Sequence, residues 1–297
     1  MKKKIATLLL TSLLLGCQKP TVKLSLLVPA GSPLLTVAGV TSELEKEVTV
    51  GPDLIPAAFT KGEKDLIAAP IIIGAKLFNA GKSNYQLAAM LGWGNLHILS
   101  RTLINTIDDL SGKSGLAFAE HSTPGIMFKL ATSDVSDINV NYVKAVSDVG
   151  GPFIQKQYDY VLISEPVLSK IRSNIDDETY TFSLQNVAKL PKIAQFGLFS
   201  NPATKAKDVN KFLVKLKNNV EQLNTDPESY VDSIIDSDDY FKGLGRDVLI
   251  DAIPRLDIEY KSALEAKADL TLFFDYLISV DTNLIGATSL DESFFRS

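Results

Sequence analysis

Strand-like and helix-like segments alternate along the first two-thirds of this chain, and consecutive helices close it from about Ala203 onward. Such alternation builds βαβ units and parallel sheets. Strands are expected over Val22–Pro29, Val48–Val50, Asp65–Ala69, Tyr85–Gly92, Leu96–Arg101, Gly115–Ala119, Val140–Val143, Tyr158–Ser164, Thr179–Leu184 and Lys192–Ser200. Helices are expected from Leu34, over Asp53–Lys61, Ile71–Asn79 and Ile126–Ala131, from Gly150, and over Val167–Arg172. The closing helices fall at Asp208–Asn224, Pro227–Ile235, Gly245–Ala252 and Lys261–Ser279. A helical tail is unusual for one doubly wound sheet. It predicts a chain that leaves its first domain, builds a second and returns. At 297 residues and 45% apolar content, two ordinary cores are within reach.

The amino terminus has a separate logic. Met1-Lys2-Lys3-Lys4 is basic, and Ile5–Leu15 is apolar but shorter than the roughly 20 residues of a spanning helix. That is the layout of a secretory signal. The single cysteine, Cys17, closes Leu14-Leu15-Gly16-Cys17. The run resembles the bacterial lipobox, in which the thiol is diacylated and the preceding peptide bond is cut. The expectation is a signal peptide over 1–16, an acylated tether over 17–21, and a lipid-anchored body outside the cytoplasm. The alternative is an ordinary signal peptide with an incidental cysteine. Loss of 1–16 removes Lys2, Lys3 and Lys4 and moves the net charge from −5 to −8. An acidic surface disfavours nucleic acid, because the dominant attraction there is cationic neutralisation of phosphates. With Cys17 acylated, no thiol remains for disulfides, thiol catalysis or metal ligation.

Four loops share one character: a strand end, small or hydroxylated residues, then a helix start. They are Pro29–Pro33, Ala68–Ile71, Glu120–Gly125 and Ser164–Pro166. Backbone N–H groups at helix starts bind anionic or polar groups, and ligands of open α/β sheets sit beyond the strand carboxyl ends. Any one of these loops alone reads as a cap. Ser32-Pro33 reads as an N-cap followed by proline at the first helical position. Trp93, the only tryptophan, stands between Gly92 and Gly94 and reads equally as a stacking face in a cleft or as a core residue. Asn95 offers an amide beside it. His97 reads as a core or edge histidine, while His121 shares a loop with Ser122 and Thr123. There is no nucleophile elbow, no glycine-rich phosphate loop and no zinc-ligand spacing. The acidic group Asp232, Asp236, Asp238 and Asp239 lacks the glycine and terminal glutamate of a calcium loop.

Several segments in order carry a family resemblance. Lys61-Gly62-Glu63-Lys64-Asp65-Leu66-Ile67-Ala68-Ala69-Pro70, Ile107-Asp108-Asp109-Leu110-Ser111-Gly112-Lys113 and Tyr158-Asp159-Tyr160-Val161-Leu162-Ile163-Ser164-Glu165-Pro166 are the main ones. Ala252-Ile253-Pro254-Arg255 and Asn283-Leu284-Ile285-Gly286 with Phe294 follow near the end. Together they resemble the substrate-binding lipoproteins of ABC importers, in the nitrate/sulfonate/taurine group that also holds thiamine-pyrimidine binders.

The resemblance implies an α/β type II periplasmic-binding fold: two lobes, each a mainly parallel sheet flanked by helices, joined by two hinge strands. Lobe I would comprise 22–101 plus 196–297 and lobe II 102–195, with hinges near Leu96–Arg101 and Lys192–Leu198. The ligand site would draw on Gly31, Ser32, Pro33, Ala69 and Pro70 from lobe I, and on Trp93, Gly94 and Asn95 by the hinge. Ser122, Thr123, Glu165 and Gln195 would come from lobe II. Ser122 and Thr123 would donate to ligand oxygens, and Glu165 would either accept from a ligand N–H or serve as a structural turn residue. The implied partners are a small organic ligand, an ABC permease with its ATPase, and the membrane through the lipid. A monomer without cofactor, metal site or catalytic residues is expected. A sulfonate suits the backbone amides, and a pyrimidine-like heterocycle suits Trp93 and Glu165. No lysine or arginine stands in the flagged loops, which disfavours an inorganic anion. Two further readings of the same fold are a surface sensor or adhesin, and a pyrimidine-synthesis enzyme, whose cysteine- and histidine-rich motifs this chain lacks.

Overall fold

A computed structural model describes residues 23–297; the expected signal peptide, Cys17 and the tether lie outside the described residues. The chain begins with β1 (Leu24–Pro29), α1 (Ser32–Val37), β2 (Leu44–Thr49), α2 (Ile55–Lys61), β3 (Leu66–Pro70), α3 (Ile71–Asn79) and β4 (Gln86–Trp93). It then crosses to β5 (His97–Ser100), β6 (Ser114–Phe118), α4 (Thr123–Ala131), β7 (Asn139–Val143), α5 (Gly150–Ile154), β8 (Tyr160–Ile163), α6 (Val167–Arg172) and β9 (Tyr180–Ser183). The return carries β10 (Ala194–Ser200), α7 (Ala206–Thr225), α8 (Pro227–Ser237), α9 (Asp239–Leu244), α10 (Arg246–Ala252), β11 (Ile258–Ser262) and α11 (Ala263–Val280). Among the described residues no helix is long and apolar enough to cross a membrane.

Two sheets result, ordered β11-β4-β10-β3-β1-β2 and β7-β6-β8-β5-β9. The βαβ half of each is parallel, as β2-β1-β3 and β7-β6-β8. The other half is antiparallel, because strands that enter or leave a crossover run against their neighbours: β10 opposes β3 and β4, and β5 opposes β8 and β9. β11, of which only Lys261 and Ser262 were expected in an element, as the start of the last helix, pairs antiparallel with β4 at the sheet edge. Its segment Ile258-Glu259-Tyr260-Lys261-Ser262 has one buried position, so its apolar signal is faint. The helix α9 was likewise not foreseen; its cap is Asp238, whose carboxylate accepts from the N–H of Tyr240.

His97–Ser100 was expected at the end of lobe I and in the hinge. It is instead an interior strand of the second sheet, so the first crossover is the three-residue stretch 94–96. Both neighbours of that strand come from later in the chain, and its own apolar run carries no mark of which sheet it joins. Gly94 and Asn95 turn this crossover with φ of 62° and 50°. A Cβ on Gly94 would also approach Asp257 Oδ2 to 2.7 Å. The second crossover spans 184–193, and the two are tied side by side by Gly94 N–H to Ile193 O (2.8 Å) and Leu184 N–H to Leu96 O (2.9 Å).

The first sheet is buried on both faces, which is why its strands read as continuous apolar runs. Successive residues split between layers. Leu26, Val28, Leu66 and Ala68 pack with α1 and α7–α10, whereas Leu27, Ile67 and Ala69 join a core that continues into the second lobe. On α7, Val209, Phe212, Leu213, Leu216, Val220 and Leu223 form the buried stripe of a 3.6-residue period. The same polar clasp opens each parallel unit. Asp65, just before β3, accepts from the N–H and hydroxyl of Ser25 on β1, both at 2.8 Å. Asp159, just before β8, accepts from the N–H and hydroxyl of Ser114 on β6, both at 2.7 Å.

Candidate functional site

The carboxyl ends of all six parallel strands meet between the two sheets. There they line a small chamber of about 90 Å³. Pro29–Pro33 follow β1, Val50 and Gly51 follow β2, and Pro70 ends β3. From the other side, Phe118 and Ala119 come with β6, Lys144–Val146 with β7, and Ser164 with β8. The lobes nearly touch here: a Cβ on Gly51 would lie 3.7 Å from that of Ala145. Three of the strand ends lead into helices whose N-cap residues line the chamber, Gly31 of α1, Pro70 of α3 and Ser122 of α4, so three helix N-termini face one small space. Their partial positive charges favour a ligand group rich in acceptors.

Among the described residues, two side chains of the wall have polar atoms without partners. Ser122 stands at the N-cap of α4, yet its hydroxyl makes no capping bond, and Ser122 Oγ and Gln195 Oε1 are both buried and unpaired. Thr123, the next residue, is fully buried with Oγ1 unpaired. Unpaired buried polar atoms cost free energy and are rare in native proteins, so their gathering at one cavity calls for a partner that the fold does not itself supply.

Beyond this chamber lies a wider one of about 590 Å³, and Ala119, Ser122 and Lys144 line both. Lobe I contributes Asp53, Ile73, Lys76, Leu77 and Lys82 to it, and lobe II contributes Glu120, His121, Tyr142 and Val143. Lys144 Nζ reaches Asp53 Oδ2 at 3.2 Å, an ion pair between the lobes. Burial pushes the Tyr142 phenol up to about 12, so it stays a protonated donor at neutral pH; among the described residues its hydroxyl has no partner.

Of the residues expected at the site, Gly31, Ser32, Pro33, Pro70, Ser122 and Gln195 line the inner chamber. Ser32, Asn95 and Glu165 come together as a bridge between the lobes. Ser32 Oγ donates to Glu165 O (2.8 Å) and accepts from Asn95 Nδ2 (2.8 Å), while Glu165 N–H donates to Asn95 Oδ1 (2.8 Å). Ser32 therefore does not cap α1 as its sequence position suggests; Gly31, at φ 100°, takes the cap position. The Glu165 carboxylate is engaged too. Oε2 accepts from Ser169 N–H and Oγ (3.0 and 2.8 Å), and Oε1 accepts from Arg255 Nε (2.9 Å). Of the two roles considered for Glu165, the geometry is that of the structural one. Ala69 is buried within β3 and does not line the chamber.

Trp93 and Gly94 lie elsewhere. They face a separate groove of about 360 Å³ with Gln185, Lys192 and Asp257. Lys192 Nζ sits 4.1 Å and Lys261 Nζ 5.2 Å from the centroid of the Trp93 ring, and the tryptophan is buried. The indole thus packs by the crossovers under two cations and offers no face to the chamber. His97 is held low by burial, against an opposing pull from Asp257, and its Nε2 is unpaired. His121 is exposed at the rim of the outer chamber. Among the described residues no group of three His, Cys, Asp or Glu is placed to hold a metal ion.

Sequence reasoning missed Lys144, Tyr142, Lys76 and Lys82, and with them the cationic lining of the outer chamber. The rule that ligands sit beyond strand carboxyl ends would have reached Lys144, which directly follows β7. Nothing local marks Arg255 as a partner for Glu165, 90 residues away.

No protein-family model and no curated protein sequence matches this chain. Solved structures do. An ABC transporter protein from Parabacteroides distasonis superposes with a TM-score of 0.76 at 20% identity, over 93% of this chain and 99% of that one. This chain has the two-lobed fold of ABC-importer binding proteins. The ligand-binding component of an ABC-type import system from Staphylococcus aureus, with zinc bound, gives 0.71 at 12% identity over 92% and 96%. The alkanesulfonate-binding protein SsuA from Xanthomonas axonopodis pv. citri, bound to MOPS, gives 0.67 at 18% identity over 92% and 98%.

Proposed function

We propose that this protein is an extracytoplasmic receptor that captures a small organic molecule between its lobes and delivers it to an ABC-type permease. The observation that carries this reading is the convergence of six strand ends and three helix N-termini on one chamber with Ser122 Oγ and Gln195 Oε1 in its wall, both without a partner among the described residues. Gln195 Oε1 is an acceptor that a ligand N–H or O–H would meet, whereas the donors of the site are backbone N–H groups, the Ser122 hydroxyl and Lys144. They fit a compact oxyanion such as a sulfonate, the class named for the Xanthomonas neighbour. The position of Trp93 removes the stacking argument for a pyrimidine. At the chamber wall, the Ser32–Asn95–Glu165 bridge ties the two lobes together. Capture is then hinge closure around the ligand. Acylation of Cys17 would hold the receptor beside its permease on a tether of four residues, Gln18-Lys19-Pro20-Thr21.

Thermal-shift screening against sulfonates, nitrate, carboxylates and pyrimidines tests the receptor reading. A ligand at a hundred times its dissociation constant should stabilise the protein by about 2.7 kcal/mol. A melting point that no compound class moves would contradict it. For the anchor, Cys17→Ser should release the protein or leave it unprocessed, and unchanged membrane retention would refute acylation.

A further inference from the structure

The outer chamber has a charge pattern that the inner one lacks. Its acids are already engaged: Asp53 is paired with Lys144 at 3.2 Å, and Glu120 with Lys129 at 2.8 Å and with His121 at 3.7 Å. Its other two lysines are not. Among the described residues, neither Lys76 nor Lys82 has an acidic partner within 4.0 Å, although the chain as a whole carries a charge of −5. Across the same chamber the Tyr142 hydroxyl is protonated and has no partner among the described residues. Every unengaged polar side chain named in this wall is therefore a donor or a cation. Ile73, Leu77 and Val143 supply an apolar wall to the same chamber, which opens inward through Ala119 and Ser122.

Resting on the receptor reading above, we propose that the cleft selects an organic molecule with an acidic group at each end. The compact acidic group enters the inner chamber. An aliphatic or aromatic spacer crosses the apolar wall, and the second acidic group meets Lys76, Lys82 and the Tyr142 hydroxyl. The volumes fit this division. The inner chamber, about 90 Å³, has room for little more than one head group, whereas about 590 Å³ lies within the usual range for a whole small-molecule site. The two unengaged lysines also explain how an acidic protein attracts an anion: a local positive field at the mouth raises the encounter rate.

Calorimetric titration of the purified protein with α,ω-alkanedisulfonates and with alkanesulfonates of matching chain length tests the proposal. At the best length the disulfonate should bind at least about tenfold more tightly, a difference of about 1.4 kcal/mol. In the Lys76→Gln/Lys82→Gln double variant that ratio should fall to near one. Both lysines are exposed, so the variant should keep its fold, which its melting curve verifies. Equal affinities in the parent protein, or a preference that survives the double variant, overturn the two-ended ligand and leave the receptor reading standing. Absence of binding by every probe of both series overturns the receptor reading for sulfonates and this proposal with it.

Discussion

Arg255 donates its Nε to Oε1 of Glu165 at 2.9 Å, from the returning helices of the first lobe to a carboxylate 1% exposed at the base of the second. Arg255 also holds Ser169 Oγ at 2.8 Å and both oxygens of Asp251 at 2.6 and 3.2 Å. The guanidinium is 40% exposed, so solvent screens its own share of the attraction. The cost of losing it falls on Glu165, which would be left buried with fewer donors. Arg255→Ala should destabilise the protein by about 1–3 kcal/mol, and urea denaturation measures it. An unchanged midpoint would mean that the pair contributes nothing to holding the lobes.

A second expectation concerns packing. A Cβ on Gly74 would lie 2.2 Å from the Phe199 ring, which is fully buried between Phe59 and Phe294 at centroid distances of 5.1 and 5.9 Å. Gly74→Ala should therefore cost about 1–3 kcal/mol through overpacking, read as a lower melting temperature. A neutral substitution would show that α3 can shift on the sheet.

Acid should weaken both lobes by one mechanism. At Asp65, burial works against ionisation, but the hydrogen bonds from Ser25 and Thr204 outweigh it and hold the carboxyl below its usual range. At Asp159, the Ser114 hydroxyl and N–H do the same. A depressed folded pKa contributes stability that is full above the unfolded value of about 4 and is lost as pH falls through the folded value. Asp65→Asn and Asp159→Asn should each lower stability at neutral pH and flatten the decline below about pH 4. Parallel pH–stability curves for parent and variants would contradict this assignment.

Trp93 serves as a probe of the crossovers. Because it lies under Lys192 and Lys261, away from both chambers, Trp93→Phe should bind ligand as the parent protein does. In the parent, ligand should still change its emission, through movement of 94–96 and 184–193. A loss of affinity in Trp93→Phe would place the indole in the site after all.

Much of this was legible in the sequence for physical reasons that the structure makes plain. Segments such as Ile71–Asn79 and Val167–Arg172 were bounded correctly, because proline punctuation before the helix is a local signal. The four strand–helix loops were found for the same reason, and they do converge on the inner chamber. What sequence could not show was partnership. Ser32 and Glu165 looked available to a ligand but are engaged with each other and with Asn95, across separations of 63 to 133 residues. Trp93, between two glycines, read equally as a cleft face or a core residue; Gly92 has its space filled by the Phe196 ring, 1.9 Å from where its Cβ would stand, and the indole turns to the crossovers. The lysines of the outer chamber lie on α3, after it and after β7. They share a wall only because the two sheets face each other.

The most direct test of the account is a melting-temperature comparison between the parent protein and Ser122→Phe, in the presence of whichever small molecule stabilises the parent. A phenyl ring at residue 122 should fill the chamber of about 90 Å³ where six strand ends meet, without touching the Glu165–Arg255 bridge. The account predicts that the ligand-induced shift disappears in Ser122→Phe while the variant still unfolds cooperatively on its own. A shift as large in the variant as in the parent would contradict it, and would place the binding site outside the cleft.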